Sequence, residues 1–346
     1  MKKTIFGKTG LSVSRIAFGG IPIMRLSTPE AVRVVKEALD LGINFIDTAT
    51  GYADSQVKIG EAISGLPRKG LVLASKSMAN DKKTILEHID NSLKQMKTAY
   101  LDIYQLHNVS SQEKFDAVFA KDGAFEGLML AVKQGKIRFP GFSAHVMSFA
   151  VKMLKTDKFF SVQVPYNFID RQAEAEVLPL AKKLNAGIIA MKPLGGGMLD
   201  DANLCFKFLF KDAGIIPDPG IEKPGQMKEI VSIFNKAESL TEAELAEIEK
   251  IKKETSGNWC HRCDYCQPCE QGIGISTVLL VRSFIKRMNA EKAIAMVNEV
   301  VQKVENCTGC GACKKRCPYG LDIPKLLKEN RLVWKEYVKK TCGDRP

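Results

Sequence analysis

The sequence predicts a (β/α)8 barrel, also called a TIM barrel, followed by a smaller and mainly α-helical domain. Short apolar runs alternate with amphipathic helical stretches eight times over about 240 residues, which suits the eight units of a closed barrel. The runs are apolar almost throughout, as parallel strands buried on both faces should be. An open doubly wound sheet has the same periodicity. However, no Gly-x-Gly-x-x-Gly follows the first run, which counts against a dinucleotide-binding fold of that kind.

The eight apolar runs are the predicted strands, and each is followed by a polar or turn-forming residue. They are Arg15–Phe18, Ile43–Ile46, Leu71–Ala74, Leu101–Leu106, Ile137–Phe142, Phe160–Val164, Gly187–Met191 and Gly214–Ile216. Helical spacing of apolar residues, with Thr28 as the N-cap of the first helix, predicts the helices between them. These are Thr28–Leu41, Gln56–Ile63, Lys82–Met96, a segment before Gly135, Val146–Leu154, Ala173–Leu184, Ala202–Lys211 and Gln226–Lys236.

A charged helix is predicted after the barrel, and a domain boundary follows it. Thr241–Thr255 begins with a threonine that has Glu244 three residues on, the pattern of a capping box. Gly257 then marks a change in composition. We therefore expect a barrel domain over residues 1–256 and a second domain over residues 257–346.

The second domain contains a repeated cysteine motif. Eight of the ten cysteines form the groups C-x2-C-x2-C-x2-C and C-x2-C-x2-C-x3-C-P, and each group is followed by a glycine and an apolar helical stretch. The second group is the bacterial ferredoxin pattern, in which the fourth cysteine binds the other cluster. This predicts two [4Fe-4S] clusters with crossed ligands. One takes Cys260, Cys263, Cys266 and Cys317, and the other takes Cys307, Cys310, Cys313 and Cys269.

Structural zinc is the alternative for these cysteines. Zinc sites normally use two separated C-x2-C pairs rather than four cysteines at nearly constant spacing, so clusters are favoured. His261 lies between two predicted ligands, but eight cysteines leave no position for it. The 37 residues between Cys269 and Cys307 exceed what a compact ferredoxin needs. The domain resembles the helical ferredoxins of respiratory reductase iron–sulfur subunits.

The charge of the chain is unevenly distributed. The net charge is +12, and residues 257–346 have 16 Lys and Arg against 9 Asp and Glu, an excess of +7. No nucleic-acid-binding motif accompanies this charge. We expect it to offset anionic clusters and to attract an acidic electron carrier such as a ferredoxin or flavodoxin. No apolar run approaches the roughly 18 residues of a membrane span, and no signal peptide is apparent. A cytoplasmic protein without membrane insertion is expected.

Polar residues follow the predicted strands at the end where barrels carry their function. They are Asp47, Lys76, His107, Ser143, Gln163, Asn167 and Lys192, and Tyr52 follows Asp47 by five residues. An isolated phenol titrates near 10, and a nearby ammonium group lowers that value. A tyrosine placed beside a Lys–Asp pair can therefore protonate a carbonyl oxygen while a hydride reaches the carbon. His107 would orient the carbonyl.

These motifs resemble the aldo-keto reductase signature. The resemblance covers residues 1–240 and includes Phe45-Ile-Asp-Thr-Ala, Tyr52, Ser55, Ile59-Gly60, Ala74-Ser-Lys76, Tyr104-Gln-Leu-His107, Gly141-Phe-Ser-Ala-His145, Gln163-Val-Pro-Tyr-Asn167 and Pro193-Leu-Gly-Gly-Gly197. With the cysteine motifs, it points to the iron–sulfur subgroup of that superfamily. The resemblance implies a catalytic tetrad of Asp47, Tyr52, Lys76 and His107, with Tyr52 as the general acid.

The resemblance also implies a nicotinamide cofactor, NADP(H) or NAD(H). Ser143 and Gln163 match positions that bind the nicotinamide carboxamide. Met191, followed by Lys192, stands where an aromatic residue often stacks on the ring. The family's arginine after the eighth strand is missing, which leaves Lys223 and the helix N-terminus at Gln226 for the phosphates.

Two functions follow from these observations. The main hypothesis is an oxidoreductase that reduces a small-molecule carbonyl or oxidises an alcohol, with the clusters relaying electrons or stabilising their domain. A hydride carries two electrons whereas a [4Fe-4S] cluster passes one. A flavin could couple them, but no specific flavin signature is present. The alternative is an iron–sulfur electron-transfer protein, or a subunit of a larger redox complex, whose barrel has different chemistry. An intact tetrad favours the enzyme.

Overall fold

The fold was analysed in a computed structural model that describes residues 1–262 and 264–342. The chain begins with an antiparallel hairpin of β1 (Lys3–Ile5) and β2 (Ser12–Ser14). Eight parallel strands then form one sheet in sequential order. They are β3 (Phe18–Gly19), β4 (Phe45–Asp47), β5 (Val72–Ser77), β6 (Leu101–Leu106), β7 (Ile137–Ser143), β8 (Ser161–Pro165), β9 (Gly187–Met191) and β10 (Ile215–Asp218).

The first and last strands of the sheet meet and close the barrel, which confirms the predicted fold. Ala17 N–H donates to Pro217 O at 2.9 Å, and Gly19 N–H donates to Pro219 O at 2.8 Å. Both strands lie farther toward the C-terminus than predicted, because β3 pairs with β4 through Gly19 and β10 pairs with β9 through Asp218. The run Arg15–Phe18 contributes only its last residue to β3, and β10 runs to Asp218 rather than ending at Ile216.

Helices fill the connections between the strands and pack outside them. They are α1 (Thr28–Asp40), α2 (Ser55–Ile63), α3 (Lys82–Gln95), α4 (Gln112–Phe119), α5 (Ala124–Lys133), α6 (Met147–Lys155), α7 (Val177–Lys183), α8 (Ala202–Phe210) and α9 (Gln226–Lys236). The N-cap of α1 is Ser27, which forms a capping box with Glu30, so the prediction of Thr28 was wrong by one residue. The connection from β6 to β7 contains two helices where one was expected.

The N-terminal hairpin plugs the amino end of the barrel. Phe6 is buried, and its ring packs edge-on against Phe45 at a centroid distance of 5.3 Å. A Cβ atom on Gly187 would lie 2.4 Å from the Phe6 ring, so a side chain there would displace the plug. Because Phe45 and Gly187 are the first residues of their strands, this end is sealed. The carboxyl ends of the strands remain for a functional site.

A second compact unit comprises residues 196–198 and the chain from Thr241 onward. Its helices are α10 (Glu242–Thr255), α11 (Ile275–Leu279), α12 (Val281–Arg287), α13 (Ala290–Gln302), α14 (Ala312–Arg316) and α15 (Ile323–Cys342). The predicted capping box of Thr241 and Glu244 is present. The division falls before α10, whereas the boundary was predicted at Gly257. Ile248 is the buried residue of α10, which is otherwise polar. The sequence of this helix therefore does not indicate whether it belongs to the barrel or to the second unit.

The core of the second unit lies between its helices. Ile275, Val278, Val297 and Val301 are almost fully buried, and so is Trp334, whose indole N–H donates to Asn298 Oδ1 at 3.1 Å.

Across residues 1–262 and 264–342, every helix is too short or too polar to cross a lipid bilayer.

Candidate functional site

A buried ion pair lies at the carboxyl end of the barrel. Asp47 ends β4 and Lys76 lies in the neighbouring strand β5, and their side chains form a direct ion pair. Lys76 Nζ also donates to Thr48 O at 2.8 Å. The two side chains are only 3% and 2% exposed. Burial would lower the pKa of Lys76, but Asp47, Tyr52 and Asp218 outweigh it and raise that pKa above its ordinary value. Lys76 is therefore a fixed cation.

Tyr52 lies against this ion pair. It belongs to a turn before α2, in which Tyr52 N–H donates to Ala49 O and Ser55 N–H donates to Tyr52 O. Lys76 Nζ is 5.0 Å from the centroid of the Tyr52 ring, and His107 packs edge-on at 5.9 Å. The structure thus brings the four predicted tetrad residues together.

His107 directly follows β6 and is partly buried. Burial, and then the positive charges of Lys76 and Lys114, hold the pKa of His107 well below its ordinary value, so its imidazole is neutral near pH 7. Its Nδ1 has no hydrogen-bond partner among the residues that the structure describes. Lys114 was missed by the sequence analysis. Its ammonium donates to His107 O at 2.8 Å, and burial lowers its pKa to about 8.

Of the predicted carboxamide-binding residues, Ser143 ends β7 and Gln163 is the middle residue of β8. Ser143 Oγ accepts a hydrogen bond of 2.9 Å from Asn108 N–H and so supports the loop next to His107. Gln163 Nε2 donates to Asp218 at 3.0 Å and is 3.4 Å from Asp47. Gln163 Oε1 is a buried acceptor that lacks a donor among the described residues.

Met191 and Lys192 lie at the end of β9. Lys192 has a left-handed backbone with φ of +59°, and Asn167 Nδ2 donates to its carbonyl at 3.0 Å. Lys192 Nζ is 3.4 Å from His145 Nδ1. The two basic side chains therefore lie side by side at the rim of the barrel.

Lys223 and Gln226 lie at the start of α9 among carboxylates. Gln226 Oε1 accepts from Glu222 N–H at 3.0 Å and Lys223 N–H at 2.9 Å. Gly225 N–H donates to Glu37 Oε1 at 2.7 Å, so a carboxylate already occupies one donor of the predicted phosphate site. Glu222 is paired with Arg25. The side chain of Lys223 is exposed.

The two cysteine motifs share a backbone pattern. Gly309 and Gly311 flank Cys310 in left-handed conformations with φ of +70° and +74°. Arg262 and Asp264 occupy the equivalent places in the first motif with φ of +60° and +58°. Such values are uncommon outside glycine, so their recurrence marks two loops folded alike. Cys263, which lies between Arg262 and Asp264, is outside the described residues.

The repeat continues beyond the cysteines. Gly272 and Gly320, three residues after the last cysteine of each motif, have φ of +64° and +66°. Ile275 and Ile323 then begin α11 and α15 and are buried. Each motif is therefore a loop of thiols anchored by a helix, which agrees with the internal repeat seen in the sequence.

The donor set fits iron–sulfur clusters. The described cysteines of both motifs are free thiols. Burial raises the pKa of Cys313, the Lys314 and Cys313 amides oppose that effect, and Cys307 and Cys310 add to it. These three thiols are thus close enough to interact electrostatically. Among the described residues no three metal-binding side chains converge on a single ion.

Comparison with known proteins agrees with both halves of the chain. Residues 15–205 match the Aldo/keto reductase family, and residues 259–322 match a 4Fe-4S dicluster domain. The uncharacterized oxidoreductase YrpG of Bacillus subtilis is 33% identical over an alignment of 229 residues that covers 58% of this chain and 68% of that protein. The NADH-specific methylglyoxal reductase of Escherichia coli is 28% identical over an alignment of 228 residues that covers 58% of this chain and 69% of that protein.

A solved structure supports the fold. The aldo/keto reductase of Klebsiella pneumoniae in complex with NADP and acetate superposes with a TM-score of 0.61 at 24% identity, covering 73% of this chain and 96% of that chain. The family match spans more than half of the present sequence. The protein is therefore an oxidoreductase that belongs to the aldo/keto reductase family and carries a 4Fe-4S dicluster domain.

Proposed function

We propose that the barrel reduces small carbonyl compounds, or oxidises the corresponding alcohols, with a nicotinamide cofactor and with Tyr52 as the proton donor. The observation that carries this proposal is the buried Asp47–Lys76 pair beneath Tyr52, next to a neutral His107. A bound nicotinamide would supply the hydride for the carbonyl carbon. The protein must then bind the substrate, polarise its oxygen and deliver one proton.

Tyr52, Lys76 and His107 each have a separate task in the reduction. The phenol of Tyr52 donates its proton to the carbonyl oxygen. Lys76, whose charge is fixed by Asp47, stabilises the negative charge that develops on the phenol. The neutral imidazole of His107 donates an N–H to the same oxygen and adds no second positive charge beside Lys76. Solvent then returns a proton to Tyr52.

The barrel offers suitable contacts for the nicotinamide. Gln163 Oε1, which lacks a donor, can accept from the carboxamide NH2. Ser143 lies in the neighbouring strand, where it supports the loop next to His107. Met191 offers an apolar, polarisable side chain for the ring. Lys192, Lys223 and the start of α9 at Gln226 are the proposed contacts for the phosphates.

The test is Tyr52→Phe, assayed with methylglyoxal as the probe carbonyl because an Escherichia coli relative is named for that activity. We expect kcat to fall by at least roughly 10²-fold, the lower limit of general acid catalysis, while nucleotide binding measured by calorimetry is retained. Tyr100→Phe is the matched control, because it removes the same atom before β6, at the sealed end of the barrel. Near-normal turnover in Tyr52→Phe would exclude the proposed role.

For the C-terminal domain we propose two [4Fe-4S] clusters with the crossed ligands deduced from the motifs. The matching backbone of the two thiol loops supports equivalent cluster sites. Thiolates that remain available for clusters require a reducing compartment, which supports a cytoplasmic location. Anaerobically prepared protein should contain about eight iron and about eight acid-labile sulfide per chain. Stoichiometric zinc without sulfide would contradict this assignment.

We further propose that the clusters exchange electrons with an acidic carrier, such as a ferredoxin or flavodoxin. Three cations, Lys314, Lys315 and Arg316, form the last turn of α14 beside Cys313 and Cys317. Lys314 is paired with Asp322 at 2.8 Å, and Arg316 donates to Pro268 O at 2.7 Å. Lys315 is therefore the residue of this group best placed to attract a partner's negative charge.

A further inference from the structure

A second carboxyl group is buried beside the catalytic ion pair. Asp218 ends β10, the last strand of the barrel, and is 8% exposed. Gln163 Nε2 donates to its Oδ2 at 3.0 Å. The same amide nitrogen is 3.4 Å from Asp47 Oδ2, so the two carboxyl groups lie around one donor. Asp218 interacts electrostatically with both Asp47 and Lys76. Asp218 therefore lies beside the Asp47–Lys76 ion pair beneath Tyr52, although it belongs to a different strand from Asp47 and Lys76.

The fold makes room for this carboxyl group. Gly19 lies opposite Asp218 where β3 and β10 close the barrel, and a Cβ atom on Gly19 would lie 3.0 Å from Asp218 Oδ1 and 2.7 Å from Pro219 O. A side chain at position 19 would press on the closure and the carboxyl group together. The absence of a side chain there lets Asp218 lie inside the barrel.

The charged side chains around Asp218 determine its protonation. Asp47 and Lys76 balance each other, so a second carboxylate would leave an unbalanced buried negative charge. Lys76 and the amide of Gln163 favour ionisation, but burial and the neighbouring Asp47 prevail and raise the pKa of Asp218 well above its ordinary value. When two carboxyl groups share a site, one of them keeps its proton.

We infer that Asp218 is a positioning residue of the reductase site, a protonated carboxylic acid whose O–H donates to Asp47 and fixes the carboxylate that holds Lys76 beneath Tyr52. This inference depends on the proposed function for its kinetic consequences, but not for the protonation itself. The O–H draws part of the charge of Asp47 away from Lys76. More of the positive charge of Lys76 then faces Tyr52, where it favours release of the phenol proton.

Two substitutions of Asp218 distinguish a role as a hydrogen-bond donor from a role as a negative charge. Asp218→Asn retains a donor toward Asp47, so we expect kcat within about 3-fold of the wild type and an unchanged pH profile of kcat/KM. Asp218→Leu removes the donor, and we expect kcat to fall roughly 10- to 100-fold, as for the loss of one hydrogen bond to a charged group. The limb of its pH profile that reports the proton donor should move to higher pH. The KM for the nucleotide should change little in either variant.

Infrared spectroscopy tests the protonation without turnover. At neutral pH the wild type should show the carbonyl band of a protonated carboxylic acid, and that band should be missing from the Asp218→Asn spectrum. An identical band in both proteins would overturn the inference. So would an Asp218→Asn variant as slow as Asp218→Leu, or one whose pH profile moves to lower pH, because Asp218 would then act as a negative charge. A wild type inactive on every carbonyl would refute the proposed function and leave the infrared result to decide this one.

Discussion

Replacing Lys76 with methionine should cost more stability than any surface ion pair could account for. Lys76 and Asp47 are almost completely buried, so the variant leaves a carboxylate without water around it. The remaining amide donors, Gln105 and Gln163, lie 3.4 Å from that carboxylate and are weak substitutes. Breaking one side of a buried pair typically costs about 3–5 kcal/mol. We expect a loss of that size in Lys76→Met and most of it restored in the double variant Asp47→Asn/Lys76→Met.

The loss should also depend on pH. The folded variant can neutralise Asp47 only by binding a proton, which the unfolded chain releases above about pH 4. The native state then holds more protons than the unfolded state, so stability falls as pH rises. The difference from the wild type should therefore be larger at about pH 8 than at about pH 5.

Urea unfolding followed by far-ultraviolet circular dichroism measures the loss in the barrel. Tryptophan fluorescence provides an internal control, because Trp259 and Trp334 both belong to the second unit. Lys97→Met is the matched variant, since its pair with Glu61 is nearly half exposed and should contribute less than about 1 kcal/mol. The reasoning is refuted if Lys76→Met is no less stable than Lys97→Met, or if the double variant recovers nothing.

Three other outcomes follow from the same structure. NADH should be preferred to NADPH by roughly 10-fold in kcat/KM, because the carboxylate of Glu37, which contacts the start of α9, repels a 2′-phosphate. Glu37→Gln should reduce this preference, and a wild type that prefers NADPH would refute the reasoning. Cys317→Ala should lower the iron content from about eight to about four per chain and disturb the first motif's cluster, whereas Cys342→Ala should retain both; loss of the second motif's cluster would exclude the crossed arrangement. Electron transfer from a reduced acidic carrier should slow as salt rises above about 0.1 M, and Lys315→Glu should slow it at low salt; a rate insensitive to both would exclude docking at this surface.

The sequence was sufficient to predict which polar residues the barrel brings together, because strand ends are local features. Asp47, Lys76 and His107 each follow an apolar run, and parallel strands of a barrel bring such residues to one edge. Asp218 was missed because β10 was predicted to end at Ile216. Its true end follows from pairing with β9, where Asp218 lies opposite Met191, and this pairing leaves no local signal in the sequence of β10.

Other differences have similar physical causes. Lys114 was missed because its role depends on burial against the carbonyl of His107, which helical spacing does not reveal. The N-cap of α1 moved to Ser27 because two adjacent hydroxyl residues both fit the preference, and only the reach of Glu30 decides between them. The repeat of the thiol loops was visible in the cysteine spacing. The left-handed backbone of Arg262 and Asp264 could not be predicted, because arginine and aspartate do not indicate this conformation in a sequence as glycine does.

The central claim is that two-electron reduction takes place at Tyr52 in the barrel, and isotope transfer tests it most directly. NADH carrying deuterium at both C4 positions of the nicotinamide should deliver one deuterium per turnover to the former carbonyl carbon of the product, in a protein whose clusters are intact. The label should appear in Tyr52→Phe only as slowly as that variant turns over. Product formed at the normal rate without deuterium, with the electrons supplied through reduced clusters, would contradict the account.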